Sequence, residues 1–146
     1  GDVCAQYRGG CLGKRTPGQP LAARPVPIAA GELIFYRYFG PIRTRDVLSD
    51  AEQAARINTA ADAALEVLGE LSVQARVEMD DCIRVCRRFA EDSGLLRDDR
   101  VRGLMADIEA AGGVASMIML GNAVFSTSRF EGCKETVLAT RKGELL

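Results

Sequence analysis

The sequence predicts an α+β domain in which an antiparallel sheet is covered by helices. Three observations predict it. Leu33-Ile34-Phe35-Tyr36-Arg37-Tyr38-Phe39 is dense in aromatic and β-branched residues, as strands are. From Ser49 to Ala111 apolar residues recur at steps of three and four, the spacing of amphipathic helices. The chain then returns to an apolar run, Val114 to Leu120, and to a strand-like Ala123 to Ser126.

Asp2 opens a stretch, residues 2 to 8, that reads as a short helix stopped by Gly9-Gly10, since glycine tolerates the positive φ found past helix ends. From Cys11 to Phe39 a Pro17-Gly18 turn separates two or three strands. Pro25 and Pro27 lack backbone donors, which makes the middle strand an edge or an irregular one. Gly40-Pro41 is expected to break the aromatic strand, and Thr44 to cap a short turn. Ser49-Asp50-Ala51-Glu52 has the capping-box form, so a long helix is expected from Ser49, with a stripe of Ala54, Ile57, Ala61, Leu65 and Leu68 running to Gly69. Ser72 is expected to cap a second helix with the stripe Ala75, Met79, Cys82, Cys86 and Phe89, ending near Ser93-Gly94. A third runs from about Asp98 to Ala111, buries Val101, Leu104, Met105 and Ile108, and stops at Gly112-Gly113. Gly121-Asn122 separates the apolar run from the strand at Ala123. Repeats and long linkers are absent from the sequence, so residues 1–146 read as one domain.

Composition narrows the function. A length of 146 residues with 47% hydrophobic and 27% charged residues suits one domain with a modest core. Nineteen basic residues against twenty acidic ones, a net charge of −1, argue for a small-molecule partner rather than nucleic acid or an anionic membrane. Apolar runs are too short to span a bilayer and the first residues do not resemble a secretory signal, so a cytoplasmic location is expected. The absence of histidine removes Ser-His-Asp and Cys-His catalysis and His-ligated zinc. Five cysteines without a Cys-x-x-Cys pair do not form a disulfide framework, and reduced thiols are expected. Cys82 and Cys86 could join Cys4 and Cys11 as zinc ligands, but both fall in an apolar stripe where cysteine acts as a small hydrophobe, so no metal site is predicted. Neither common phosphate-loop fingerprint occurs. Asp2 read alone is a helix cap, and Arg8 read alone is a solvated arginine.

Gly1-Asp2-Val3-Cys4-Ala5-Gln6-Tyr7-Arg8-Gly9-Gly10 resembles the stretch of GHMP kinases in which an acidic residue precedes a short helix closed by two glycines. Gly40-Pro41-Ile42-Arg43-Thr44-Arg45-Asp46-Val47-Leu48, Arg88-Phe89-Ala90-Glu91-Asp92-Ser93-Gly94-Leu95 and Ala115-Ser116-Met117-Ile118-Met119-Leu120-Gly121-Asn122-Ala123-Val124-Phe125 are similar to blocks of the archaeal pantoate kinases, in the same order. The last takes the place of the third GHMP motif but replaces most of its glycines, Gly121 remaining.

The resemblance implies a ferredoxin-like C-terminal domain of a kinase that transfers the ATP γ-phosphate to the primary hydroxyl of pantoate, giving 4-phosphopantoate for coenzyme A synthesis. It implies Asp2 as the catalytic carboxylate, Arg8, Ser116 and Gly121 as substrate-binding residues, and ATP with Mg2+ held mainly by an ATP-loop half expected upstream of Gly1. On that reading the chain alone is inactive, and its exposed apolar interface favours self-association, with a homodimer allowed for. Mevalonate- or homoserine-like acceptors, and a non-catalytic ligand-binding or regulatory domain of the same fold, are the alternatives.

Overall fold

The computed structural model describes residues 11–13, 24–29, 31–42, 47, 50–119 and 121–138. Among them the elements run β1 (Cys11–Gly13), β2 (Arg24–Val26), β3 (Leu33–Pro41), α1 (Ala51–Leu71), α2 (Met79–Asp92), α3 (Asp99–Ala110), β4 (Ala115–Met117), β5 (Gly121–Ser126) and β6 (Lys134–Val137). The architecture is α+β: an antiparallel sheet in the order β4-β5-β3-β6, and a separate ribbon of β1 with β2. The first sheet strand in the chain, β3, lies between the last two, which is the ferredoxin-like order. Pro25 pairs with Leu12 in the short ribbon, where a missing donor costs little.

Several local expectations shift. The aromatic strand does not stop at Phe39: β3 runs to Pro41, with a register shift between Tyr38 and Gly40. Gly40 takes φ 149°, a conformation that side chains disfavour, so glycine carries the strand through the irregularity rather than ending it. The cap of α1 is Asp50, whose carboxylate accepts from the N–H groups of Glu52 (3.0 Å) and Gln53 (3.2 Å). The side-chain oxygen there meets two amides that the helix leaves without partners, at the positive end of the helix dipole.

Ser72 closes α1 instead of opening α2: its N–H bonds the Leu68 carbonyl at 2.9 Å and its hydroxyl donates to the Gly69 carbonyl at 2.8 Å. Ala75 is therefore an exposed loop residue, and α2 begins at Met79 after Glu78. The loop is held where Val77, only 2% exposed, enters the core and its N–H bonds the Pro27 carbonyl. The α3 expectation holds for the Asp98 cap and for Val101, Met105 and Ile108, which are buried, whereas Leu104 is only partly buried. The Asp2–Arg8 helix and the Thr44 turn lie outside the described residues.

Two apolar clusters organise the molecule. The larger joins α3 (Val101, Met105, Ile108) to the sheet face carrying Ala115, Met117 and Val124, with Ala90 and Leu95 closing one side. The smaller seats the ribbon on the α1–α2 turn: Val26, Val77 and Cys82, with Cys11, Leu68 and Met79 against them. Burial of this kind contributes roughly 1.5–3 kcal/mol per large apolar side chain.

A polar clamp locks the helices. Gln53, buried in α1, donates to the Ser93 carbonyl at 2.6 Å and accepts from Arg97. Arg56 donates to the carbonyls of Asp92 (2.6 Å) and Glu91 (3.2 Å), so a cation meets the negative end of α2. Gly94 follows with φ 69°, and a Cβ there would stand 2.8 Å from the Arg56 guanidinium, so glycine serves both the turn and the close approach. Among the described residues no helix is long and apolar enough to cross a membrane.

Candidate functional site

The hairpin of β4 and β5 carries the two predicted substrate residues that the structure describes. Its turn is tight: the Ile118 N–H bonds the Ala123 carbonyl (2.9 Å) and the Gly121 N–H bonds the Ile118 carbonyl (3.1 Å). Gly121 thus opens β5, opposite Pro41, instead of separating two segments. Its Cβ position meets only Ile118 O at 3.8 Å and a Tyr38 ring carbon at 3.9 Å, ordinary contacts, so packing alone does not demand glycine. The turn leaves Ile118 and Met119 in solvent, and Tyr38 beside Gly121 is 61% exposed. An apolar tip of this kind is unusual on a free surface.

Two cavities flank this hairpin. One, of about 660 Å³, is lined by Ile34 and Tyr36 of β3, Phe125 of β5, Phe89 and Cys86 of α2, and Met117 to Met119. Among the described residues its hydrogen-bonding side chains belong to Tyr36 and Thr136, and no carboxylate, lysine or arginine lines it. Burial pushes the Cys86 thiol up to about 11, so it remains neutral there. Such a cavity accepts an apolar body with few polar groups. Ser116 pairs with Phe125 on that face, but it is fully buried and its hydroxyl contacts the Met117 carbonyl at 3.4 Å. It is not among the residues that line the cavity.

The second cavity, about 400 Å³, lies between Pro41, Ile42, Val47 and Leu95 on its apolar side and Arg97, Asp98 and Asn122 on its polar side. Arg97 donates to the Gly94 carbonyl at 3.0 Å as well as to Gln53, and no carboxylate faces it among the ion pairs described. Asp98 accepts from Arg100 Nε at 3.0 Å, Nη2 at 2.6 Å and the backbone N–H at 2.9 Å. Those side-chain bonds hold its carboxyl down at about 2, too acidic for proton abstraction near neutral pH. Asp98 therefore acts as a cap and an ion-pair partner.

Among the described residues, no cluster of three or more cysteines and acids could hold a metal ion. Asp2 and Arg8 lie outside the described residues, so the structure brings together Ser116 and Gly121 alone from the predicted set. Arg97 and Asn122 were missed as cavity residues. Arg97 follows no pattern in sequence, whereas Asn122 stands next to Gly121 within the block that carries the third-motif resemblance.

No protein-family model matches the chain. It is 26% identical over 137 residues to the pantoate kinase of Methanocaldococcus jannaschii, a match covering 94% of this chain and 48% of that protein. To the pantoate kinase of Methanospirillum hungatei it is 28% identical over 137 residues, covering 88% of this chain and 40% of that protein. The chain thus spans about half or less of the curated relatives it matches. A solved structure described as a phosphotransferase related to the CoA biosynthesis pathway superposes with a TM-score of 0.71 at 21% identity, over 96% of this chain and 48% of the other. That likeness shows the fold.

Proposed function

We propose that the chain forms the acceptor side of an ATP-dependent pantoate kinase, which phosphorylates the primary hydroxyl of pantoate to give 4-phosphopantoate. The observation that carries the reading is similarity to two pantoate kinases along most of the chain. The geometry agrees in kind. Pantoate has a carbon bearing two methyl groups next to its reacting CH2OH, and the larger cavity offers apolar walls beside the hairpin tip.

Phosphoryl transfer needs in-line positioning, cations against the phosphates and a group to orient or deprotonate the attacking hydroxyl. Asp2 is assigned the last role, and Arg8 the substrate carboxylate. Ser116 and Gly121 shape the hairpin beside the acceptor. ATP phosphates and Mg2+ find no ready cradle in the described cavities: among the described residues the larger has no charged wall, and in the smaller the Asp98 carboxylate is already held by Arg100. Their binding is assigned to the half that the relatives possess and this chain does not span. A small-molecule partner, a cytoplasmic location and a homodimer go with this proposal.

The test is a chimera joining the N-terminal half of the M. jannaschii relative to residues 1–146, assayed with ATP and pantoate after circular dichroism has established folding. ATP-dependent 4-phosphopantoate formation is expected. A folded chimera that phosphorylates mevalonate or homoserine in preference would replace the acceptor, and one inert with all three would favour a ligand-binding domain.

Gly121→Ala in the same chimera separates fold from function. With contacts no closer than 3.8 Å around the new methyl, the melting temperature is expected to stay within about 2 °C of the parent. If substrate passes close to this backbone, kcat/KM should fall by roughly 10-fold. Unchanged kinetics would remove Gly121 from the substrate-binding set.

A further inference from the structure

We propose that Cys11 is an oxidation site for peroxides and that Cys82 is its resolving thiol, the two closing a disulfide between ribbon and helix. The reading does not depend on the kinase proposal. Cys11 lies in β1 and Cys82 in the first turn of α2, elements far apart in sequence that meet in the small apolar cluster with Val26 and Val77. Cys11 is half-buried and so reachable by a small oxidant, whereas Cys82 is only 4% exposed and waits behind it. That is the arrangement of an attacking thiol and a sheltered partner.

The chemistry of the pair is asymmetric. The Cys82 thiol donates to the Cys11 sulfur, which favours the Cys11 thiolate and lowers that thiol below the ordinary cysteine value. The same bond raises Cys82, and burial and the neighbouring charge of Asp81 add to the rise. Cys86, a turn further along α2, is held neutral by burial and packs as a hydrophobe. The thiolate, not the thiol, attacks peroxide. Cys11, half-buried and with its thiol lowered, is therefore the reactive member.

The proposed steps balance. The Cys11 thiolate attacks one oxygen of hydrogen peroxide, the O–O bond breaks, and the departing hydroxide takes a proton to leave as water, giving Cys11 sulfenic acid. With Cys11 now a sulfenic acid, the thiolate that raised Cys82 is gone. Cys82 gives up its proton as its sulfur attacks the sulfenic sulfur, the S–O bond breaks, the departing hydroxide takes that proton to leave as a second water, and the S–S bond forms. Two thiols are oxidised by two electrons and one peroxide is reduced. A small dithiol restores the reduced pair by exchange. The disulfide would tie β1 to α2, fixing the strand that follows the Asp2 stretch in sequence.

The experiment treats the reduced 146-residue chain with hydrogen peroxide, alkylates the remaining thiols and maps non-reduced peptides by mass spectrometry. The expected product links Cys11 to Cys82 and disappears on treatment with dithiothreitol. Before oxidation, iodoacetamide should modify Cys11 several-fold faster than Cys133. In Cys82→Ser the Cys11 sulfenic acid should accumulate and be trapped by dimedone. Cys11→Ser, at a half-buried position that tolerates a hydroxyl, should keep the fold and form no link to Cys82. Oxidation led by Cys4 or Cys133, no Cys11–Cys82 link in the folded parent chain, or equal alkylation of Cys11 and Cys133 would overturn the proposal.

Discussion

Replacing Asp2 by asparagine in the pantoate kinase chimera is expected to lower kcat by roughly 10²-fold or more, with the KM for pantoate far less affected. Asparagine caps a helix about as well as aspartate does, so folding and melting temperature should be nearly unchanged if capping is part of its role. What asparagine cannot do is accept the proton of the attacking hydroxyl. A loss made only in the transition state appears in kcat and kcat/KM together, whereas lost ground-state binding appears in KM. The structure sharpens this prediction by removing a rival: the cavity carboxylate of Asp98 is held near 2 by Arg100 and is a poor base at neutral pH. An Asp2→Asn chimera with full kcat would return Asp2 to the capping role and leave the proposed reaction without a named base.

The sheet and helices were legible wherever one local signal decided them. Aromatic density placed β3, and three- and four-residue spacing with an aspartate cap placed α3. Where two local signals competed, tertiary contacts chose. Ser72 can cap either helix it adjoins, and a carbonyl on Gly69 together with the burial of Val77 made it close α1. Gly40-Pro41 looks like a strand end, yet pairing of Pro41 with Gly121 carries β3 through it. The edge strand β6, Lys134–Val137, is short, charged and exposed throughout, so no burial pattern marked it. The site was less legible than the fold. Its smaller cavity depends on Arg97, from between α2 and α3, meeting Asn122 of β5, a conjunction that one-dimensional spacing does not encode. Gly121 was visible through its motif, whereas the burial of Ser116 followed only from the pairing of β4 with β5.

The contrast between Met105 and Met119 gives the largest expected effect on stability. Met105 is fully buried between α3 and the sheet, and its sulfur takes a contact from Arg87 Nη1 at 3.3 Å. Arg87 itself bridges Glu91 (3.2 Å) and Glu109 (3.3 Å), so the methionine packs under an ion-paired roof that a smaller side chain would leave without support. Met105→Ala removes three heavy atoms from a closed core and should cost about 2–5 kcal/mol, the transfer term plus that of the cavity left behind. In a domain of marginal stability this corresponds to a fall of roughly 10 °C in Tm, measurable by thermal or urea denaturation. Met119, at the hairpin tip, is 62% exposed, and Met119→Ala should change stability by no more than about 0.5 kcal/mol. Its effect should appear instead in the chimera's kinetics if the tip packs against the other half of the kinase. Equal destabilisation by the two substitutions would mean that the hairpin tip is part of the core and not the exposed tip that Ile118 and Met119 form here.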